Sequence, residues 1–215
     1  MIGRVKLIVG LGNPGFSYRG TRHNAGAQAV EKLAKKHKFL FKPSRSFKSL
    51  IASGKIQGQS VCLALPQTFM NLSGEAVLAL VSALGGSLPV RQAGKKKGIA
   101  AGDILIVYDD TALKLGDIKI KTKGSDGGHH GLASVIEKLN TRDIPRLRLG
   151  IGRGDTKGNL SDYVLSRFDK DEEPVWDKTL EKAVEAMEVW VLEGIDRCMS
   201  RFNQMTTQLT SLLAP

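Results

Sequence analysis

The chain has 215 residues, of which 25% are charged and 41% hydrophobic, the balance of a water-soluble domain with chain enough for a substantial core. No segment approaches the roughly 20 consecutive apolar residues of a membrane-spanning helix, which excludes functions built on such a helix. A formal net charge of +11 suits a polyanionic partner, nucleic acid first among them, and equally a merely basic compartment.

Residues 4–11 form a short apolar run rich in β-branched residues, the pattern of a buried strand. Gly12, Asn13, Pro14 and Gly15 break it, and a polar stretch from Tyr18 to Asn24 follows. Open α/β sheets place ligand sites beyond the carboxyl ends of central strands, so this turn is expected to deliver Asn13 and His23 to a cleft. A helix over 25–38 carries Ala29, Val30, Leu33, Ala34 and His37 on one stripe, with Gln28, Lys32, Lys35 and Lys36 opposite. Residues 39–48 are basic and irregular. Residues 50–53 and 60–65 read as a hairpin joined through 54–58, and Pro66 ends its second strand.

Residues 67–71 form a loop. Ser73 is placed to cap a second helix, with Val77, Leu78, Leu80, Val81 and Leu84 on its apolar face and Gly85-Gly86 as its stop. Residues 87–102, with Lys95, Lys96 and Lys97, predict a mobile basic surface loop. The unbroken apolar run 104–108 predicts a central strand buried on both faces, ending in Asp109 and Asp110. Residues 118–121 alternate apolar and basic, as a half-exposed strand does. Residues 124–131 are too glycine-rich for regular structure. A short helix over 132–139 and a strand over 147–151, with Arg146 and Arg148 on one side, come next.

One long helix is expected over about 171–203, led by acids and Pro174. Its stripe of Trp176, Leu180, Val184, Met187, Val191, Ile195, Met199 and Phe202 suits core packing. Residues 204–215 are expected to fray. Strands alternating with helices predict an α/β fold: a single domain over 1–203, with a twisted, mixed but mostly parallel sheet and helices on both faces. Cys62 and Cys198 lack metal-type spacing and read as reduced core thiols of an intracellular protein. The first strand begins too early to leave room for a signal or transit peptide, so a cytoplasmic location is expected, with the mitochondrial matrix as the alternative.

Gly10, Gly12 and Gly15 match the dinucleotide-binding pattern G-x-G-x-x-G. Yet the residues after Gly15 do not open a helix, and the ribose-binding acid about twenty residues on is missing. A nicotinamide phosphate enzyme stays open as a minor reading. His23 is the side chain type best matched to proton transfer near neutral pH. Asp109 ends the most apolar strand, where a carboxylate would accept the second ring N–H of an imidazole. Asn13 and Asn71 both follow strands and offer amide donors. Each alone reads as a turn former or a cap; together they suggest a base that activates water, since no nucleophile motif is present. His129 and His130 are adjacent and share no metal motif with His23, so neither metal nor cofactor is expected. Lys119, Lys121, Arg146, Arg148 and Arg153 flank the glycine-rich segment, either as phosphate contacts or as a solvated strand face.

Six blocks then carry a resemblance: residues 11–15 with Tyr18, residues 21–26 (Thr-Arg-His-Asn-Ala-Gly), residues 68–74 (Thr-Phe-Met-Asn-Leu-Ser-Gly), Asp109-Asp110, Gly127-Gly128-His129, and residues 146–152. In this order, spanning roughly 4–203, they resemble the bacterial-type peptidyl-tRNA hydrolase family. The resemblance implies hydrolysis of the ester between a peptide and the 3′ ribose of tRNA, recycling tRNA from prematurely released peptidyl-tRNA. It implies His23 as the base for water, Asp109 as its orienting carboxylate, and Asn13 and Asn71 as binders of the peptide backbone near the ester. It implies Tyr18, Phe69 and Met70 as lining residues, His130 at a substrate-positioning place, and Lys121 and Arg148 as a phosphate clamp on the tRNA acceptor end. No cofactor is expected, and a cleft for so large a substrate points to a monomer.

The chain also departs from the family. The usual Gly-Gly-His-Asn-Gly reads Gly-Gly-His129-His130-Gly here, and His130 cannot offer an amide pair. Ala112 stands where the family has a second acid, and the segment around 88–102 is longer than usual. A non-catalytic RNA-binding module, like the plastid splicing cofactors that resemble the same family, is the alternative these departures leave.

Overall fold

The computed structural model describes residues 5–84, 100–153 and 159–203. In chain order the elements are β1 (Lys6–Gly10), α1 (Ala25–Lys36), β2 (Lys42–Ser44), β3 (Ser49–Ile56), β4 (Gln59–Pro66), α2 (Ser73–Ala83), β5 (Ile104–Asp110), β6 (Ile118–Lys121), α3 (His130–Leu139), β7 (Arg146–Gly150), α4 (Leu160–Leu165), α5 (Glu173–Glu193) and α6 (Ile195–Asn203). The strands form one sheet in the order β2-β3-β4-β1-β5-β7-β6. β1 runs parallel to β4 and β5, and β5 parallel to β7. The outer pairs β2–β3, β3–β4 and β6–β7 are antiparallel.

The pleat of each central strand feeds two cores. Ile8 of β1 and Leu105 and Val107 of β5 pack under α1, α5 and α6, against Leu33, Met187 and Trp190. Leu7 and Val9, with Ile106 and Tyr108, face the other way, against Val77 and Leu80 of α2 and Leu132 and Val135 of α3. Each such side chain, fully buried, contributes about 1.5–3 kcal/mol. Burial on both faces is why these strands are unbroken apolar runs in the sequence.

Helix α1 sits unusually close to the sheet. A Cβ on Gly26 would lie 2.1 Å from the Val107 carbonyl oxygen, and one on Gly10 would lie 2.5 Å from the Gly26 carbonyl oxygen. The Leu11 N–H donates to the Val107 carbonyl, and the Ala27 N–H donates to the Leu11 carbonyl, at 2.9 and 3.0 Å. Gly10 therefore serves helix–strand packing, and the chain after Gly15 forms a 3-10 turn over Phe16–Tyr18. Neither feature suits a dinucleotide cradle. The far edge of the sheet is closed by a side chain. The Asn203 carboxamide accepts from the Ile120 N–H and donates to the Ile120 carbonyl, both at 2.9 Å, pairing β6 as a neighbouring strand would.

Several expectations need correction. Residues 39–48 contain β2, which among the described residues pairs with β3 alone. The hairpin turn is Gln57-Gly58, both at positive φ (45° and 86°), a two-residue connection that lets the strand continue through Gly54. Ser73 does not cap α2; it is the helix's first residue, fully buried, and no side-chain cap bond forms there. The 3-10 turn over Met70–Leu72 runs directly into the helix and leaves no room for a cap. The last helix is two, broken at Gly194. Helix α4 was not foreseen. Arg146 is buried, not part of a surface patch. Helix α3 starts at His130, two residues early. Among the described residues no helix is long and apolar enough to cross a membrane. Gly85, Gly86, most of the 87–102 loop and the 204–215 tail lie outside the described residues.

Candidate active site

The carboxyl ends of β1, β4 and β5 open onto a cleft of about 750 Å³, walled on the far side by α4. Asn13 follows β1. His23 lies in a second 3-10 turn, Arg22–Asn24, which leads into α1. Asn71 follows β4, and Asp109 is near the end of β5. All four line this cleft, with Phe69, Met70 and His130. Tyr18 does not: it is half-buried outside the lining, and its carbonyl accepts from Thr21 Oγ1 at 2.8 Å. Lys121 and Arg148 also lie off the cleft, on β6 and β7.

The centre of the cleft is a carboxylate between two imidazoles. His23 Nδ1 lies 3.0 and 3.1 Å from the two oxygens of Asp109. His129 Nε2 lies 3.0 Å from Asp109 Oδ1. His129 belongs to the Gly127-Gly128-His129 block of the sequence but carries no expected role there, because the glycine-rich segment hides its partner. That segment turns tightly, with Gly127 and Gly128 at φ 61° and 82°, a conformation open to glycine at no steric cost. Asp126 braces the turn by accepting the Gly128 N–H at 2.9 Å. The chain then enters α3 with His129 as its N-cap: the Leu132 N–H donates to His129 Nδ1 at 3.1 Å.

That bond fixes the chemistry. Nδ1 of His129 accepts, so its ring proton sits on Nε2 and points at Asp109. Asp109 thus receives an N–H from each ring. Burial opposes its ionisation, but attraction to His129 and the hydrogen bonds from both imidazoles outweigh this and hold its carboxyl well below the usual range. Tyr108 packs edge-on against His129, ring centroids 4.9 Å apart, and burial pushes its phenol up to about 12. With Nδ1 of His23 committed to Asp109, Nε2 is left to the cleft.

The donor atoms of His23, Asp109 and His129 lie within 4.8 Å of one another. The sequence had kept these histidines apart. Each nitrogen stands at hydrogen-bond distance from the carboxylate, so the grouping is explained without a cation.

The carboxamides are held differently. Asn13 Oδ1 accepts the Met70 N–H at 2.7 Å. Its own N–H donates to Asn24 Oδ1, and Asn24 Nδ2 donates to its carbonyl, at 2.9 and 3.0 Å. The Asn13 oxygen is taken, which leaves its NH₂ for the cleft. Asn71 is exposed there, with no side-chain partner among the described residues. Phe69, 58% exposed, and Leu160 and Leu165 of α4 give the cleft an apolar wall. Beside it, Arg148 Nε donates to Asp110 Oδ2. This leaves the terminal edge of the guanidinium open.

The chain matches a protein-family model described as peptidyl-tRNA hydrolase over residues 7–210. It is 45% identical over 198 residues to a peptidyl-tRNA hydrolase of Carboxydothermus hydrogenoformans, covering 92% of this chain and 98% of that one. A Chloroflexus aurantiacus peptidyl-tRNA hydrolase is 43% identical, covering 93% and 99%. The crystal structure of peptidyl-tRNA hydrolase from Acinetobacter baumannii superposes with a TM-score of 0.82 at 33% identity, covering 94% of this chain and 96% of that one. A 5′-methylthioadenosine nucleosidase from Arabidopsis thaliana shares the fold at a TM-score of 0.51 and 8% identity.

Proposed function

The chain belongs to the peptidyl-tRNA hydrolase family, and from that premise we propose that it hydrolyses the ester between peptide and tRNA with His23 as general base. The observation that carries this reading is the orientation of His23, which lines the cleft with its Nδ1 held by Asp109, so that Nε2 is left for water.

Water beside Nε2 attacks the ester carbonyl carbon and gives its proton to His23. Asp109 stabilises the imidazolium that forms. The carbonyl oxygen takes up the negative charge, and the NH₂ of Asn71 donates to it, a contribution of about 10²–10³ in rate for one preorganised donor. The intermediate collapses, the carbon–oxygen bond to ribose breaks, and His23 returns its proton to the leaving 3′ oxygen. Peptide acid and free tRNA result. Asn13 donates its NH₂ to the peptide backbone, and Phe69, Met70 and His130 contact the acyl group. Lys121, exposed on β6, and Arg148 meet phosphates of the acceptor end. Peptide chemistry varies from one substrate to the next, and main-chain contacts and an apolar wall suit that tolerance. The cleft is complete within one chain, which supports a monomer. Peptidyl-tRNA arises where ribosomes work, which supports a cytoplasmic location.

The test is release of tRNA from N-acetyl-aminoacyl-tRNA by the wild-type chain and by His23→Ala. Hydrolysis by the first, with RNA binding but about 10²–10⁴-fold slower turnover in the second, is expected. Equal turnover by both overturns the assignment of the base. RNA binding without hydrolysis by the wild type would make the chain a binding module instead.

A further inference from the structure

Arg146, on β7, is 1% exposed. A buried cation is costly unless it is paired or fully hydrogen-bonded. Arg22, the other buried arginine among the described residues, pairs with Glu172 at 2.6 Å. Arg146 has no carboxylate within ion-pair distance among the described residues. Its guanidinium donates to three main-chain carbonyls: Nε to Ile144 at 3.1 Å, Nη1 to Ser125 at 2.8 Å, and Nη2 to Arg142 at 3.0 Å.

Those carbonyls are not scattered. Ser125 opens the glycine-rich turn that ends in His129, the N-cap of α3. Arg142 and Ile144 lie in the connection that leaves α3 for β7. The Gly124 N–H donates to the same Arg142 carbonyl at 3.3 Å. One planar fork therefore ties together the two ends of the helix whose first cap touches Asp109. β5 and β7 are paired in register, Ile106 opposite Arg146 and Tyr108 opposite Arg148, so the fork is fixed relative to the strand that carries Asp109.

We propose that Arg146 is a positioning residue: by gripping both ends of α3 it holds the His129 N–H on Asp109, and through that carboxylate it tunes how readily His23 gives up a proton. This rests on the reading of His23 as the base. With the fork removed, His129 drifts from Asp109. The carboxylate, relieved of one donor, attracts the proton on His23 more strongly, and the base stays protonated to higher pH. The charged and titratable groups around the His23–Asp109 pair are Tyr108 and Asp110 from β5, Asp126 and His129 from the glycine-rich turn and His130 from the first turn of α3, with Arg146 and Arg148 of β7 beside Tyr108. The variants change Arg146 directly and the others only through it.

The experiment is the pH profile of kcat/KM on N-acetyl-aminoacyl-tRNA for the wild type, Arg146→Met, Arg146→Lys and Arg146→Gln, with folding checked by circular dichroism and thermal melting. Lysine keeps a charge but cannot span three carbonyls as the fork does. The expected result is a fall in kcat of about 10–100-fold with KM nearly unchanged, and an acid limb displaced upward by roughly half a pH unit or more. The same displacement is expected in His129→Gln, with no further shift when Arg146→Met is added to it. An acid limb that stays in place in every variant that folds, or shifts that simply add in the double variant, overturns the proposal. Such a result would leave the role of His23 intact, because His23→Ala tests that separately.

Discussion

The main-chain N–H of Leu132 donates to Nδ1 of His129 at 3.1 Å. One hydrogen bond thus caps a helix and selects a tautomer. It leaves the other ring nitrogen protonated against Asp109, where a second imidazole already donates.

His129→Ala removes both the cap and the second donor. Loss of a side-chain cap typically costs about 1 kcal/mol of stability. Activity is expected to fall by about 10–100-fold, no less than in the Arg146 variants, because Asp109 still orients His23 and a supporting contact contributes less than the base itself. Denaturant midpoints and turnover measured on one preparation check both figures. Activity as low as that of His23→Ala would mean that His129 is as essential as the base itself and not a supporting contact.

Asp109→Asn keeps the shape and changes the donors. An amide offers one acceptor oxygen, so it cannot receive an N–H from both rings without setting an NH₂ against one of them. Turnover is expected to drop by about 10²–10⁴-fold. Stability should respond to pH with a definite sign. The Asp109 carboxyl is held below its unfolded value, so its ionised form stabilises the fold above about pH 4, and that contribution is lost as pH falls towards the depressed value. The gap in urea midpoint between wild type and Asp109→Asn is therefore expected to be widest near neutrality and to shrink in acid. A gap that widens in acid would mean that the neutral carboxyl of Asp109, not the carboxylate, is the form that stabilises the fold.

These two predictions also mark what the sequence could say. His23, Asp109, Asn13 and Asn71 were legible because each follows a recognisable apolar strand, and strand ends share one edge of the sheet. The role of His129 was not, because it follows no apolar strand and the run of glycines before it carries no periodicity. Arg146 looked like part of a basic patch; only the fold shows that a turn and a loop close over it. Ser73 had the composition of a cap, but the preceding 3-10 turn took its place. Gly194 was overridden by a stripe that stays in phase on both sides of the break. The sheet itself was plain, since burial on two faces imposes the continuous apolar runs of β1, β4 and β5.

Gly26→Ala tests the seat of α1. The added methyl would meet the carbonyl oxygen of Val107 at 2.1 Å, and that oxygen belongs to a central strand that cannot move aside. Overpacking of this kind costs about 1–3 kcal/mol or more, or roughly 2–4 °C of melting temperature per kcal/mol in a chain of this size. Because α1 begins directly after the turn that carries His23, turnover is expected to fall even where the variant is fully folded. Gly10→Ala strains the same contact, so the double variant should lose less than the sum of the two. Additive losses would place the two glycines in separate contacts.

The cations provide the last prediction, with a control built into the fold. Arg148 is held at Nε by Asp110, and among the described residues its two terminal nitrogens are left to grip a phosphate. Lys121 projects from the neighbouring strand into solvent. If each neutralises one phosphate of tRNA, Arg148→Ala or Lys121→Ala should weaken binding and reduce the slope of log K against log salt by about one. Rate at saturating substrate should change little, since neither residue lines the reacting cleft. Lys36 has the same charge but lies across the molecule on α1, paired with Glu188 of α5 at 2.8 Å. Lys36→Ala should leave the slope where it is. Filter binding of deacylated tRNA across a salt series separates the outcomes. A slope that falls equally for all three variants would mean that tRNA responds only to net charge, and that no particular phosphate is held by the β6–β7 pair.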